Sequence, residues 1–186
     1  MDGPLTYRRR EDIAFGTGSS ALGPILVASS DEGVVAILCA DRVAELVGQL
    51  RERFKKANLL RDVNAVRPHL AAVRRFVASP DHVLDLPLDL RGTPFQKRVW
   101  EEVQRIPPGE TSTYSRIAEL VGAPKAIRAV ASTCTSNGLY FAIPCHRVLH
   151  KDGKGYGGTR QKRLLAREVA CANASPGASS RPNTNK

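Results

Sequence analysis

Tyr114-Ser115-Arg116-Ile117-Ala118-Glu119-Leu120-Val121-Gly122-Ala123-Pro124-Lys125-Ala126-Ile127-Arg128-Ala129-Val130-Ala131-Ser132-Thr133-Cys134 reads as two short helices around a turn. The first covers Tyr114 to Val121, with Ile117, Leu120 and Val121 inward. Gly122-Ala123-Pro124 makes the turn. The second covers Lys125 to Cys134, and its Ile127, Val130, Ala131 and Cys134 recur at helical spacing and face a core. The opposite face carries Lys125, Arg128, Ala129, Ser132 and Thr135. Positive charge binds phosphate, and small side chains let a helix approach a nucleic-acid backbone closely. A helix-turn-helix alone is only moderately specific, since many helical hairpins bind nothing and a solvated arginine is the plain reading of Arg128.

Just downstream lies Ile143-Pro144-Cys145-His146-Arg147. It sets a thiol beside an imidazole and a guanidinium, after a proline that fixes the backbone. A thiol attacks only as thiolate, and a neighbouring base or positive charge is what produces one near neutral pH. Upstream, Thr93-Pro94-Phe95-Gln96 offers a capping box with proline at the first helical position. Phe95, Val99, Val103 and Ile106 form that helix's apolar stripe, Trp100 lies next to it, and Pro107-Pro108-Gly109 ends it.

Farther upstream the pattern changes to strands. Ile25 to Ser29 and Val34 to Ala40 form a hairpin around Ser30-Asp31-Glu32-Gly33, with a third strand over Ile13 to Thr17. Asp41 is placed as an N-cap, and Val43, Leu46, Val47, Leu50 and Phe54 follow on one helical face. A further helix is expected over Pro68 to Ala78. Leu84, Leu86, Leu88 and Leu90 alternate as in a strand, but Pro87 restricts them to a sheet edge or an extended linker. The domain boundary is placed here: an N-terminal α/β domain over 1–90, a second domain over 91–172 and a tail without periodicity over 173–186, expected to be disordered.

The chain has 186 residues and a net charge of +10. Residues 1–90 are charge-balanced, so the whole excess falls in the half that holds Cys145. That asymmetry fits a polyanionic partner. Cys39, Cys134, Cys145 and Cys171 form no CxxC pair, and His69, His82, His146 and His150 make no metal signature, so no metal site is expected. Cys39 and Cys134 sit in apolar patterns and are assigned to the core. No apolar stretch is long enough to cross a membrane, and Met1-Asp2-Gly3-Pro4 carries no signal-peptide pattern, so a cytoplasmic protein is expected.

Phe95 through Val148 resembles the O6-alkylguanine-DNA alkyltransferases, above all the C-terminal part of bacterial Ada proteins and their stand-alone relatives. The matching residues are Phe95-Gln96, Val99-Trp100, Ile106-Pro107, Gly109-Glu110-Thr111, Tyr114, Pro124-Lys125-Ala126, Arg128-Ala129-Val130, Asn137 and Ile143 to Val148. Leu164-Leu165-Ala166-Arg167-Glu168 is similar to the family's closing Leu-Leu-x-x-Glu segment. The first 90 residues fit the family's small N-terminal domain in pattern only. The resemblance implies an α+β fold, with an RNase H-like antiparallel hairpin sheet and helices followed by a mostly helical, winged-helix-like domain that binds DNA and holds the active site.

It also implies a function. A single-use DNA repair protein would bind duplex DNA containing O6-alkylguanine, flip the base and transfer the alkyl group to Cys145, with O4-alkylthymine as a further substrate. His146 would take the thiol proton through a water, and Glu168 would hold the imidazole, completing a Cys-His-acid relay. Arg147 would either support an electropositive site or brace the fold. Arg128 would fill the space left by the flipped base, Tyr114 would push the phosphate and meet the guanine edge, and Lys125, Ala129 and Ser132 would line the DNA. Asn137 would join the recognition helix to the active-site segment. Pro144, Tyr156, Gly157 and Gly158 would line the pocket. No cofactor is expected, and the protein would act as a monomer.

The loop Lys151 to Thr159 is shorter than in relatives, which often carry Gly-Tyr-Arg-Trp-Gly there, and Gly157 stands where others have serine. That removes a hydroxyl able to help hold the guanine O6, a task still open to the backbone N–H groups of the glycine run. The zinc and regulator domains of full Ada proteins are not expected in this chain. The competing reading is a non-reactive alkyltransferase-like lesion binder. A transcription regulator is less well matched, because the outer face of the second helix offers few base readers, and a Cys-His hydrolase leaves the basic half unexplained.

Overall fold

Alternating apolar residues give the sheet two buried faces. Side chains along a strand point to opposite sides, so Ile25 and Val27 enter one hydrophobic cluster while Leu26 and Ala28 enter another. In the computed structural model, which describes residues 10–155 and 157–174, three antiparallel strands form first: β1 (Asp12–Ser20), β2 (Gly23–Ser30) and β3 (Gly33–Cys39). The helix α1 (Val43–Arg53) covers one face through Leu46 and Leu50. A short strand β4 (Asn58–Arg61) then pairs parallel to β1, which gives the sheet order β3-β2-β1-β4. The helix α2 (Val63–Ala78) covers the other face with Val66, Leu70, Val73, Phe76 and Val77.

The cluster beneath α2 continues across residue 90. It includes Val99, Trp100 and Val103 of α3 (Pro94–Gln104), Ile117 of α4 (Tyr114–Leu120), Val130 and Cys134 of α5 (Ile127–Thr135), and Leu139, Phe141 and Ile143. The chain then makes a 3-10 turn at Cys145–Arg147, a strand β6 (Val148–Leu149) that pairs parallel to β5 (Ser112–Thr113), and the last helix α6 (Gly158–Ala174). The architecture is α+β, a sheet layer followed by a helical half.

The exposed edge of β3 positions the site. Val34 donates to the Pro87 carbonyl at 2.7 Å, and Asp89 donates back to Val34 at 3.0 Å. The leucine run is therefore an extended linker along that edge, with one bridge between Leu88 and Val34. Farther along, Ile37 donates to the Gly138 carbonyl at 2.7 Å and Tyr140 donates to Ile37 at 3.0 Å. The segment leading to Cys145 is thereby pinned to the sheet.

The capping box of α3 forms as expected: the Thr93 side chain accepts from Gln96 N–H, and the Gln96 side chain accepts from Thr93 N–H. Other expectations are corrected. Asp41 does not cap α1; the N-cap position is Arg42, without a side-chain cap bond, and the Asp41 carboxylate pairs with Arg160 of α6 at 2.5 Å. The second helix starts at Val63, not Pro68, because Asp62 accepts from the N–H groups of Asn64 and Ala65 and nucleates an earlier turn. Ile127, expected in the core, is 41% exposed at the start of α5, and Thr133 is buried instead with its hydroxyl donating to the Ala129 carbonyl at 2.9 Å. Asn173 and Ala174, expected in the tail, are helical. The remainder of the tail, the N-terminal Met1 to Pro4 and Tyr156 lie outside the described residues. Among the described residues, no helix is long and apolar enough to cross a membrane, and no cluster of His, Cys, Asp and Glu could hold a metal.

Candidate active site

Asn137 sits where α5 hands the chain to the pinned segment. Its side-chain oxygen accepts from Leu139 N–H at 2.8 Å, and its Nδ2 donates to the Ile143 carbonyl at 3.0 Å. The same amide reaches the Cys145 sulfur at 3.3 Å. Cys145 follows Pro144 in a tight turn, with its N–H donating to the Ile143 carbonyl at 2.7 Å. Asn137 thus fixes the approach to the thiol as well as the thiol itself.

The next two side chains turn inward. His146 is 3% exposed, Arg147 is 3% and Glu168, from α6, is 0%. Nε2 of His146 lies 2.7 Å from the Glu168 carboxylate. Arg147 meets the same carboxylate through Nε at 3.1 Å and through a terminal nitrogen at 2.9 Å, and its other terminal nitrogen donates to the Ile106 carbonyl at 2.6 Å. The Gly109 N–H adds a further bond at 3.2 Å. Burial alone would raise the Glu168 carboxyl, but the hydrogen bonds from His146 and Arg147 outweigh it and hold it at about 2. Of the two readings of Arg147, the geometry shows the brace.

An ionised carboxylate can only accept, so Nε2 carries the hydrogen of a neutral His146 and Nδ1 is its acceptor. Burial pushes the imidazole below its usual value despite the Glu168 bond, which keeps it neutral. Nδ1 is buried and has no hydrogen-bond partner among the described residues.

The Cys145 thiol is pushed up, well above the usual cysteine range. Its hydrogen bond with the Cys134 thiol is the largest cause and burial the next, while the Asn137 amide pulls the other way. The Arg147 guanidinium is bonded to Glu168 and the Ile106 carbonyl instead of facing the sulfur. At rest the group is a thiol.

A cavity of about 90 Å³ opens on the sulfur, lined by Tyr114, Cys134, Thr135, Asn137, Tyr140, Cys145, His146, Gly157 and Gln161. Gly157 is where expected. Pro144 and Gly158 do not line the cavity: Pro144 is buried behind the turn, and Gly158 opens α6. Within the glycine run, the Gly157 N–H donates to the Gln161 side chain at 2.6 Å. Cys134 is buried, as expected, but it also faces the pocket. The sequence placed Cys134 on the core face of the second helix and Thr135 on its outer face, neither of them at the pocket, and it did not single out Tyr140 or Gln161.

Tyr114 is buried at the start of α4, edge-on to His150 with ring centres 4.9 Å apart. Lys125, Arg128, Ala129, Ser132 and Thr135 are all exposed. The pocket therefore lies at the C-terminal end of α5, whose outer face sets Arg128 among small side chains, with Lys125 in the turn before it.

Residues 94–170 match the family model described as 6-O-methylguanine DNA methyltransferase, DNA binding domain. The chain is 41% identical over 161 residues to the bifunctional transcriptional activator/DNA repair enzyme Ada of Escherichia coli, covering 84% of this chain and 46% of that protein. It is 32% identical over 152 residues to the constitutive methylated-DNA--protein-cysteine methyltransferase of Bacillus subtilis, covering 78% of this chain and 87% of the relative. The solved structure of the Mycobacterium tuberculosis protein in complex with DNA superposes with a TM-score of 0.72 at 31% identity, over 85% of this chain and 94% of that one. The chain spans about half the length of the first relatives it matches. The match to the Bacillus subtilis relative, nearly end to end, is decisive, and the chain belongs to the methylated-DNA--protein-cysteine methyltransferase family.

Proposed function

We propose that this chain repairs alkylated DNA by direct reversal, moving the alkyl group from O6 of guanine to the sulfur of Cys145 in a single turnover. The observation that carries the reading is a cysteine, with a neutral His146 bonded to an ionised Glu168 beside it, in a small cavity at the end of α5, whose exposed outer face carries Arg128. The relatives are named for this reaction, and one of them is solved with DNA.

Duplex DNA lies on α4 and α5, with Lys125 and Arg128 at phosphates and Ala129 and Ser132 close to the groove. The alkylated guanine leaves the stack, Arg128 enters the gap, and the base reaches the cavity past Tyr114. The thiol proton passes through a water to Nδ1 of His146, and Glu168 stabilises the imidazolium that forms. The sulfur attacks the alkyl carbon, an S–C bond forms as the C–O6 bond breaks, and guanine leaves with the electron pair and takes up a proton. The net change converts thiol and alkylguanine into thioether and guanine, with no cofactor. A thioether has no leaving proton, so the protein is spent. O4-alkylthymine, with the same alkyl–oxygen bond, is a second substrate.

In this reading the protein is a cytoplasmic monomer. Residues 1–90 form an RNase H-like support, and residues 91–172 form a winged-helix-like reactive unit. The test is to incubate the protein with duplex DNA carrying one O6-methylguanine and measure intact and peptide masses. One added methyl on the Cys145 peptide, with guanine restored, is the expected result. Unmodified protein still bound to the lesion would replace the transferase with a non-reactive lesion binder.

A further inference from the structure

Gln161, in the first turn of α6, is a polar side chain only 2% exposed, and both ends of its amide are used. Its oxygen accepts from Gly157 N–H at 2.6 Å, and its nitrogen donates to the His146 carbonyl at 2.7 Å. One amide therefore ties the end of the 150–157 loop to the turn that carries the nucleophile. Buried polar groups bonded at both ends hold their geometry firmly, because breaking either bond strands a desolvated partner.

The loop glycines fit around this amide. A Cβ on Gly155 would lie 2.0 Å from the Gln161 side-chain oxygen, and one on Gly157 would lie 2.8 Å from the Gln161 Cβ. That same Cβ on Gly157 would stand 3.5 Å from the Tyr140 hydroxyl. Gly157 and Gln161 thus form one wall of the cavity, close to Tyr140 on another, with the Cys145 sulfur lining the same space. A larger group on the sulfur needs Gly157 to draw away from Tyr140, and the amide resists that movement.

We propose that Gln161 determines which adducts this chain accepts: by strapping Gly157 to the His146 turn, it sets the pocket for small alkyl groups and against bulky aromatic ones. The proposal rests on the alkyl-transfer reading and adds its substrate class. Gln161 does not touch the reacting atoms; it acts by positioning the loop.

The test compares single-turnover rate constants on duplexes carrying O6-methylguanine or O6-benzylguanine, for the wild-type chain, Gln161→Ala and Gln161→Met. Pocket discrimination by a few carbon atoms spans roughly tenfold to a few hundredfold. The benzyl-to-methyl ratio is expected to rise about tenfold or more in both variants. A ratio that moves less than about twofold, including the case in which both rates fall in parallel, would overturn the proposal and leave Gln161 a purely structural brace. Methionine fills the same volume without either hydrogen bond, so it decides the matter if the alanine variant does not fold; failure of both to fold also overturns it. A wild-type chain inert towards both duplexes would instead overturn the transferase reading, and the proposal with it.

Discussion

The buried group of His146, Arg147 and Glu168 and the outer face of α5 stand at opposite extremes. In the first, charges are sealed from water and bonded to one another and to backbone. In the second, Arg128, Ala129 and Ser132 stand in solvent, with Lys125 exposed in the turn just before the helix. The difference teaches that chemistry and binding obey different physics here. A buried ion cluster fixes geometry and fails sharply when one member is lost, whereas exposed charges act through a screened field and fail by degrees.

The most severe way to break the contrast is Cys145→Ser, which should abolish transfer, read by peptide mass, while duplex affinity in a binding assay stays within about twofold. Retained transfer would move the nucleophile elsewhere. Next is Glu168→Ala, which leaves the Arg147 guanidinium buried without a counter-charge and should lower unfolding free energy by about 3–5 kcal/mol in urea titrations. The linkage has a definite sign. The Glu168 carboxyl is held down at about 2, from an ordinary value of 4.5, so its stabilisation is full above pH 4.5 and is lost as pH falls towards 2. Glu168→Gln should flatten that acid limb.

A change inside the pocket sharpens the chemical side. Cys134→Ala removes the largest influence that raises the Cys145 thiol. Alkylation by iodoacetamide should therefore accelerate, and its pH profile should move to lower pH; an unmoved profile would assign the high thiol to burial alone. On the binding side, Arg128→Ala should slow repair of duplex by about tenfold, the scale of an inserted side chain that offsets part of the flipping cost, and leave reaction with free O6-methylguanine, which needs no flipping, much less affected. The smallest effect belongs to Lys125→Ala, which should weaken binding evenly across sequences and reduce the salt slope by about one.

Legibility in the sequence followed how local each cause was. The capping box at Thr93, the hairpin around Gly33 and the turn at Gly122 are decided within a few residues, and each forms where expected. Asp62 was just as local a signal, overshadowed by Pro68, which sits inside the helix instead of opening it. The strand β4 is four residues without alternation, and only its parallel pairing with the distant β1 makes it a strand. The site divides in the same way. Cys145, His146, Asn137 and Glu168 could be named from family resemblance. The direction of Arg147, the contact of Cys134 with the nucleophile and the role of Gln161 depend on where separate elements meet, which no local pattern encodes.

The edge of β3 has a consequence for the life of the protein outside its chemistry. An unpaired strand edge is a template on which another chain can add. Here one end is covered by Pro87 and Asp89, and the other by Gly138 and Tyr140 on the way to the nucleophile. The approach to the reactive cysteine is therefore also the guard of the sheet. Any lesion, variant or modification that pushes this segment off its seat uncovers a sticky edge, so damage at the site and a tendency to aggregate should arise together.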